Sequence, residues 1–244
     1  MSFVNAYANE RRAASYARLA FPGTYYLAFR DLREIIDNQG LAGRRALDFG
    51  CGAGRSTRFL RGCGFTVTGV DISRPMIAEA RRLDPSGDYR LVRERDLDAL
   101  VVANFDLILS AFTFDNVPTS PLKIRISRQL AQHLEAGGRI VHIVSSPAMY
   151  THEWASFSTR PFPENRTARA GDVVRTVITD TDDPRPVDDV LCPDEEYRRI
   201  FRAARLVPID TYRPLGCADD PCSWVSEHRV APWTIYVLAR ELGH

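Results

Sequence analysis

The 244-residue chain contains a single lysine, Lys123; arginine supplies the rest of its 32 basic residues. That scarcity excludes some chemistries. No glycine turn is followed by Lys-Ser or Lys-Thr, so there is no phosphate-cradling P-loop, and a Schiff-base enzyme would have only Lys123, expected on a surface helix. Excess charge of either sign is missing too. A net charge of +1 gives no global field to gather nucleic acid or an anionic membrane. No apolar run approaches membrane-spanning length, and Met1-Ser2-Phe3-Val4-Asn5 lacks a charged-then-apolar leader. The five cysteines, Cys51, Cys63, Cys192, Cys217 and Cys222, are odd in number and form no Cys-x-x-Cys. Reduced thiols, a cytoplasmic location and no zinc framework are expected. No histidine pair has helical metal-ligand spacing, so no metal is expected either.

What is present begins at Ala46-Leu47-Asp48-Phe49-Gly50-Cys51-Gly52-Ala53-Gly54-Arg55. An apolar run ends in an acid, three glycines alternate with other residues, and a helical segment opens. A second apolar run, Val67 to Val70, ends in Asp71. This is a strand, a tight turn, a helix and a parallel strand, with a ligand expected outside the carboxyl ends of the strands. The glycines allow a turn with φ > 0 and a close approach of ligand to backbone. Free N–H groups at the helix start suit a negative group, and Asp71 is placed to accept hydrogen bonds from ribose hydroxyls. The dinucleotide form of the turn wants a small residue where Arg55 stands, which disfavours NAD.

The remaining pattern alternates. Strands are expected at 45–49, 66–71, 89–94, 105–112 and 138–145, and helices at 54–62, 74–83 and 119–136. Leu122, Ile126, Leu130 and Leu134 mark the buried stripe of the last of these helices. Two helical segments, Tyr7 to Ala20 and Thr24 to Asn38, precede the core as a cap over 1–43. After the core over 44–145, residues 146–193 form an insertion with a strand near 171–179. A connection of that length is usually functional or structured. The segment 194–244 supplies a helix opened by Asp194-Glu195-Glu196, where the dipole favours acids, and two more strands. The fold class is therefore α/β, a doubly wound and mostly parallel sheet.

These motifs resemble the class I S-adenosylmethionine-dependent methyltransferase family. Its first motif is matched by Asp48, Gly50, Gly52 and Gly54, with Cys51 inside the turn, and its second by Asp71, with Ile72 and Met76 where the family flanks adenine. A third acidic position is matched by Asp96, followed by Leu97, and the fourth strand carries Ser110 and Phe112. Leu134-Glu135-Ala136-Gly137-Gly138-Arg139-Ile140-Val141 matches a further motif. The resemblance is strong over roughly 45–145 and weak over 194–240. It implies a Rossmann-like seven-stranded sheet with its last strand antiparallel, S-adenosyl-L-methionine as cofactor, and a substrate-covering lid with a small sheet in the insertion. In this family an N-terminal segment often closes over the donor, which points to Tyr25, Tyr26 and Arg30.

Candidates on the acceptor side follow from position. Asp115, just past strand four, either orients or deprotonates an acceptor or caps the helix after it. His152 is either a general base or an exposed loop residue. Phe112 and Phe114 either wall a pocket or fill core, and the same choice applies to Trp154, Phe157 and Phe162. His142, inside strand five, reads as core. The expected function is methyl transfer to a small molecule by a monomer or homodimer, with neither nucleic acid nor membrane as partner. The alternatives are a methyltransferase of RNA or protein, and a binding protein or non-methylating enzyme of the same fold.

Overall fold

The computed structural model describes residues 9–19, 23–92 and 104–241. Five parallel strands run β1 (Arg45–Phe49), β2 (Thr66–Asp71), β3 (Asp88–Leu91), β4 (Phe105–Ala111) and β5 (Leu134–Ser145). Two more, β9 (Leu206–Tyr212) and β10 (Trp233–Arg240), complete a seven-stranded sheet in the order β3-β2-β1-β4-β5-β10-β9. Only β10 runs against its neighbours, pairing antiparallel with both β5 and β9. The order reverses between β1 and β4, so both the turn after β1 and the loop after β4 open at the same carboxyl edge.

The central strands are buried on both faces and therefore read as apolar runs. Leu107 and Leu109 of β4 face one core with Ile143 of β5 and Ile235 of β10, while Ile108, Ile140 and Leu238 face the other. This is the period of two that a strand imposes. Helices α2 (Thr24–Arg30), α3 (Leu32–Asp37) and α4 (Arg55–Gly62) bring Leu27, Leu32, Ile36 and Leu60 to the first core. Helices α6 (Ser120–Gln132) and α7 (Asp194–Ala203) bring Ile126, Leu130, Ile200 and Phe201 to the second. Helix α5 (Arg74–Leu83) packs beside the amino-terminal α1 (Glu10–Ala17) through Met76, Ala13 and Ala17.

Two sequence expectations change in detail. The helix expected over Thr24–Asn38 divides at Asp31 into α2 and α3. Lys123 is not on a surface: it is 1 % exposed, its Nζ donates to the Phe114 carbonyl at 2.5 Å, and it lies 5.3 Å from the Tyr197 ring centre. The helix ends at Gln132, so its stripe is Lys123, Ile126 and Leu130, with Leu122 only half-buried and Leu134, expected in the stripe, opening β5. Lysine can hold such a position because its stem is aliphatic and its head finds a carbonyl.

The insertion between β5 and α7 forms a second, antiparallel sheet in the order β6-β7-β8, from Phe157–Ser158, Val173–Ile178 and Val187–Val190. Helix α1 is tied to the turn joining β7 and β8. Arg12 donates to the Pro186 carbonyl at 2.9 Å, Arg18 pairs with Asp182, and Arg185 donates to Asn9 at 3.3 Å.

Glu227 joins three distant segments. Fully buried, it accepts hydrogen bonds from the Thr24 hydroxyl at 2.7 Å and from the backbone N–H groups of Ala155, Val225 and Ser226 at 2.8, 2.8 and 3.0 Å. Buried donors left without an acceptor cost about 1–3 kcal/mol each. Glu227→Leu is accordingly expected to lower stability by at least about 3 kcal/mol in urea unfolding, with Glu227→Gln in between; equal stability of Glu227→Leu and wild type would refute the assignment.

Candidate functional site

The turn after β1 is built for close contact. Gly50, Gly52 and Gly54 have φ of 74°, 52° and 78°. The N–H groups of Gly50 and Cys51 both donate to the Val70 carbonyl, at 2.8 and 3.0 Å, which fixes the turn to β2. A Cβ on Gly50 would lie 2.1 Å from the Thr113 hydroxyl, which itself donates to the Phe49 carbonyl at 3.1 Å. A Cβ on Gly52 would meet only the Met76 sulfur, at 3.9 Å, so the space above Gly52 is open. Gly54 precedes α4, whose first turn has no side-chain cap. Cys51 is buried, and burial beside Asp48 and Asp71 drives its thiol pKa well up, so it stays a thiol.

Two carboxylates flank the turn. Asp71 accepts from the N–H groups of Gly52 at 2.8 Å and Ser73 at 2.7 Å, one on each oxygen. A carboxylate has about four acceptor positions, so it retains capacity for a diol. Burial raises its pKa. Ile72 beside it is 49 % exposed, an apolar side chain left open at the lip of the turn, while Met76 is buried. Asp48 is fully buried: its Oδ2 accepts from the Ser56 and Thr57 hydroxyls, both at 2.6 Å, and its Oδ1 has no partner among the described residues. Burial lifts its pKa to about 6. The Ser110 hydroxyl, buried on β4, is also without a partner among the described residues.

Asp96 and Leu97 lie outside the described residues. Tyr26 and Arg30 sit elsewhere than expected. Arg30 pairs with Asp31 at 2.8 Å and Asp220 at 3.0 Å, and the Tyr26 ring lies 6.4 Å from Trp224. These partners draw both residues to the 215–224 loop. The segment beside the glycine turn is α1 instead: Arg55 donates to the Tyr16 carbonyl at 3.1 Å and lies 5.3 Å from that ring's centre.

Past β4 the chain enters an unusual conformation. Phe112 has φ 61°, a left-handed position that a bulky residue takes only when its surroundings enforce it. Its N–H donates to the Ile143 carbonyl at 2.8 Å and its ring is 4.7 Å from that of Trp233. The ring thereby lines a small cavity of about 40 Å³, with Tyr25, Phe157 and Trp233 beside it. Phe114, two residues on, is core. Asp115 lines the cavity as well. It does not cap α6, a task that falls to Thr119. It accepts from the Ser145 N–H at 3.0 Å and the Ser145 hydroxyl at 2.9 Å, fastening β4 to β5. Across the cavity stands Asp189 of β8, which accepts from the Asn116 amide and from the Tyr150 hydroxyl at 3.2 Å. Burial pushes both carboxyl groups up, and for Asp189 the nearby Asp115 pushes further.

His152 is outside the cavity lining: its Nδ1 is 3.2 Å from the Ala148 carbonyl and its ring 5.9 Å from Trp154. Of the aromatic series in the insertion, Phe157 lines the cavity, Trp154 is buried with its indole N–H on the Met149 carbonyl, and Phe162 is half-buried. His142 is core, parallel to the Phe201 ring and tilted against that of Phe114, and burial lowers its pKa to about 3.

Residues 47–140 match the methyltransferase domain family. That match, the acid–glycine turn and this sheet order make residues 47–140 similar to the domain of class I S-adenosylmethionine-dependent methyltransferases. A cypemycin N-terminal methyltransferase of Streptomyces sp. is 31% identical over 140 residues, 54% of this chain and 54% of that protein. A ubiquinone biosynthesis O-methyltransferase of Thiobacillus denitrificans is 36% identical over 91 residues, 36% of this chain and 39% of its own length. The chain thus spans about half the length, or less, of these curated relatives. The sugar N-methyltransferase KedS8 of Streptoalloteichus sp. shares the fold with a TM-score of 0.67 at 18% identity, covering 99% of this chain and 97% of that one.

S-adenosyl-L-methionine is the cofactor of this methyltransferase family, and the residues present fit it. Asp48 Oδ1 is an orphaned buried acceptor beneath the turn, and the space above Gly52 is open to a ligand. Among the cavity residues, sequence reading missed Asp189. The sequence Val187-Asp188-Asp189-Val190 has no clean alternation, and only the fold shows that Val187 and Asp189 share the inward face while Asp188 is exposed.

Asp71→Ala is expected to weaken S-adenosylhomocysteine binding about 10- to 100-fold in calorimetry, the loss of about 1.5–3 kcal/mol for hydrogen bonds to a charged group. Unchanged affinity would sink the ribose assignment. Asp48 gives a pH signature. Its folded pKa of about 6 lies above the unfolded value near 3.8. Between those values the folded state keeps a proton that the unfolded chain has released, so stability falls as pH rises from about 4 to 6. The span is about 3 kcal/mol. Asp48→Asn lacks it, and urea titrations at pH 4 and pH 7 are expected to show a correspondingly smaller drop in that variant.

Proposed function

We propose that the protein is an S-adenosylmethionine-dependent methyltransferase acting on a small molecule held between the carboxyl edge of its sheet and the insertion. The observation that carries this reading is the adjacency of two sites. Thr113 bonds the carbonyl just before the glycine turn, while Phe112, next to it in sequence, lines a cavity roofed by Thr176 and Asp189 of the insertion.

The bound cofactor supplies an electrophilic methyl group on a sulfonium, open to in-line displacement. The chain's part is to position and to exclude water, and positioning alone can supply several kcal/mol. Asp48, Gly50, Gly52, Gly54 and Asp71, with Ile72 and Met76, hold the donor in this reading. Phe112 and Trp233 wall off the reacting side. Asp115 holds the loop after β4 in place through Ser145, and the buried insertion core keeps solvent out. The names of the relatives include both N- and O-acceptors, so the fold leaves the acceptor atom open.

The test is calorimetric titration with S-adenosylmethionine and S-adenosylhomocysteine, followed by transfer of a radiolabelled methyl group to a pool of small metabolites. Micromolar binding and labelled product are expected. A folded protein that binds neither would overturn the reading. His152→Gln, which removes no lining group, is expected to leave the transfer rate within about threefold of wild type, whereas a drop of 10²-fold or more, the size of a lost general base, would place His152 in the chemistry.

A further inference from the structure

The cavity beside Phe112 has a charge pattern that selects among acceptors. Among the described residues its only charged lining groups are Asp115 and Asp189, with no arginine, lysine or histidine. Lys123 lies near both and donates to the Phe114 carbonyl, so one ammonium faces two carboxylates. The opposite wall is four rings in mutual contact. Phe112 and Trp233 are 4.7 Å apart, Tyr25 and Phe157 4.9 Å, Tyr25 and Phe112 5.6 Å, and Phe157 and Trp233 5.8 Å. Thr176, 2 % exposed, also lines the cavity.

Resting on the methyltransferase reading, we propose that the acceptor is a small amine, bound as its ammonium ion between this ring cluster and Asp189, with Asp189 as the group that removes its proton. Each part of the wall argues for it. Aromatic faces attract a cation, more strongly when water is excluded. In their ionised form, two carboxylates against the single Lys123 ammonium repel a phenolate or a carboxylate acceptor. About 40 Å³ holds an amine head and not a polymer segment. Asp115 is already committed to Ser145 and Tyr197, whereas Asp189 accepts one bond on each oxygen and keeps capacity on both.

The step balances. The Asp189 carboxylate takes one proton from the ammonium and becomes a carboxylic acid. The freed nitrogen lone pair forms the new N–C bond to the methyl group as the C–S bond breaks, its electron pair staying on sulfur as a thioether. The product leaves as a methylated ammonium, and Asp189 releases its proton to solvent. The titratable groups facing Asp189 are Asp115, Tyr150, Lys123 and Tyr16, while Asp188 acts on it from the outer face of the same strand. Burial and Asp115 favour its protonated form and Lys123 opposes them, which suits a group that must accept a proton near neutrality.

The probe is trimethylammonium chloride, compared with tert-butyl alcohol of similar shape, by saturation-transfer NMR on the full-length protein with and without S-adenosylhomocysteine. The ammonium methyls are expected to be saturated about threefold or more above the alcohol methyls. That preference should fall to parity in Asp189→Asn and in Trp233→Leu. Asp189→Asn should still bind S-adenosylhomocysteine with wild-type affinity, which shows it folded. Equal saturation of the two probes, or an ammonium preference surviving Asp189→Asn, would overturn the inference. The donor reading fails separately, by absence of S-adenosylhomocysteine binding, whatever the ammonium result.

Discussion

Carboxylates at the ends of strands hold this structure at the edge where it works. Parallel strands end together, and each must be followed by a loop whose N–H groups need acceptors. Asp71 takes the N–H groups of Gly52 and Ser73, joining the end of β2 to the turn after β1 and to the start of α5. Asp48 takes the hydroxyls of Ser56 and Thr57, holding α4 against β1. Asp115 takes the N–H and hydroxyl of Ser145, holding the loop after β4 to the end of β5. All three pKa values are raised by burial, so the edge stores unfavourable charge. A ligand carrying donors or positive charge would relieve it.

The insertion extends the same arrangement from the other side. Asp189 on β8 meets Asn116 from the loop after β4, so the added sheet is joined to the core by a hydrogen bond at the cavity itself. Glu227 and the arginines of α1 secure the periphery. The cavity is thus enclosed by segments far apart in sequence. No helix among the described residues is long and apolar enough to cross a membrane.

The glycine turn and its flanking acids were legible because their geometry is local. The turn from Asp48 to Gly54 needs glycines at fixed spacing, and Asp71 must end the next strand, so the pattern survives in the linear order. The cavity beside Phe112 was not legible. Phe112 and Asp115 drew notice from their place after β4, but Asp189 sits in a four-residue strand with too little pattern to read. Tyr25 joins the wall from α2 and Trp233 from the start of β10, contacts that no spacing encodes. Tyr26 and Arg30 were drawn away by partners at Trp224 and Asp220, which only the folded loop supplies.

By itself the sequence determined the α/β alternation, the parallel core and the glycine turn after β1, because hydrophobic period and glycine conformation act over a few residues. Tertiary structure decided the rest. It buried Lys123, left Asp189 rather than His152 lining the cavity, and gave that cavity its negative lining. Burial and charge depend on what long-range contacts bring together, and those contacts join segments more than a hundred residues apart, as Thr24 and Glu227 do.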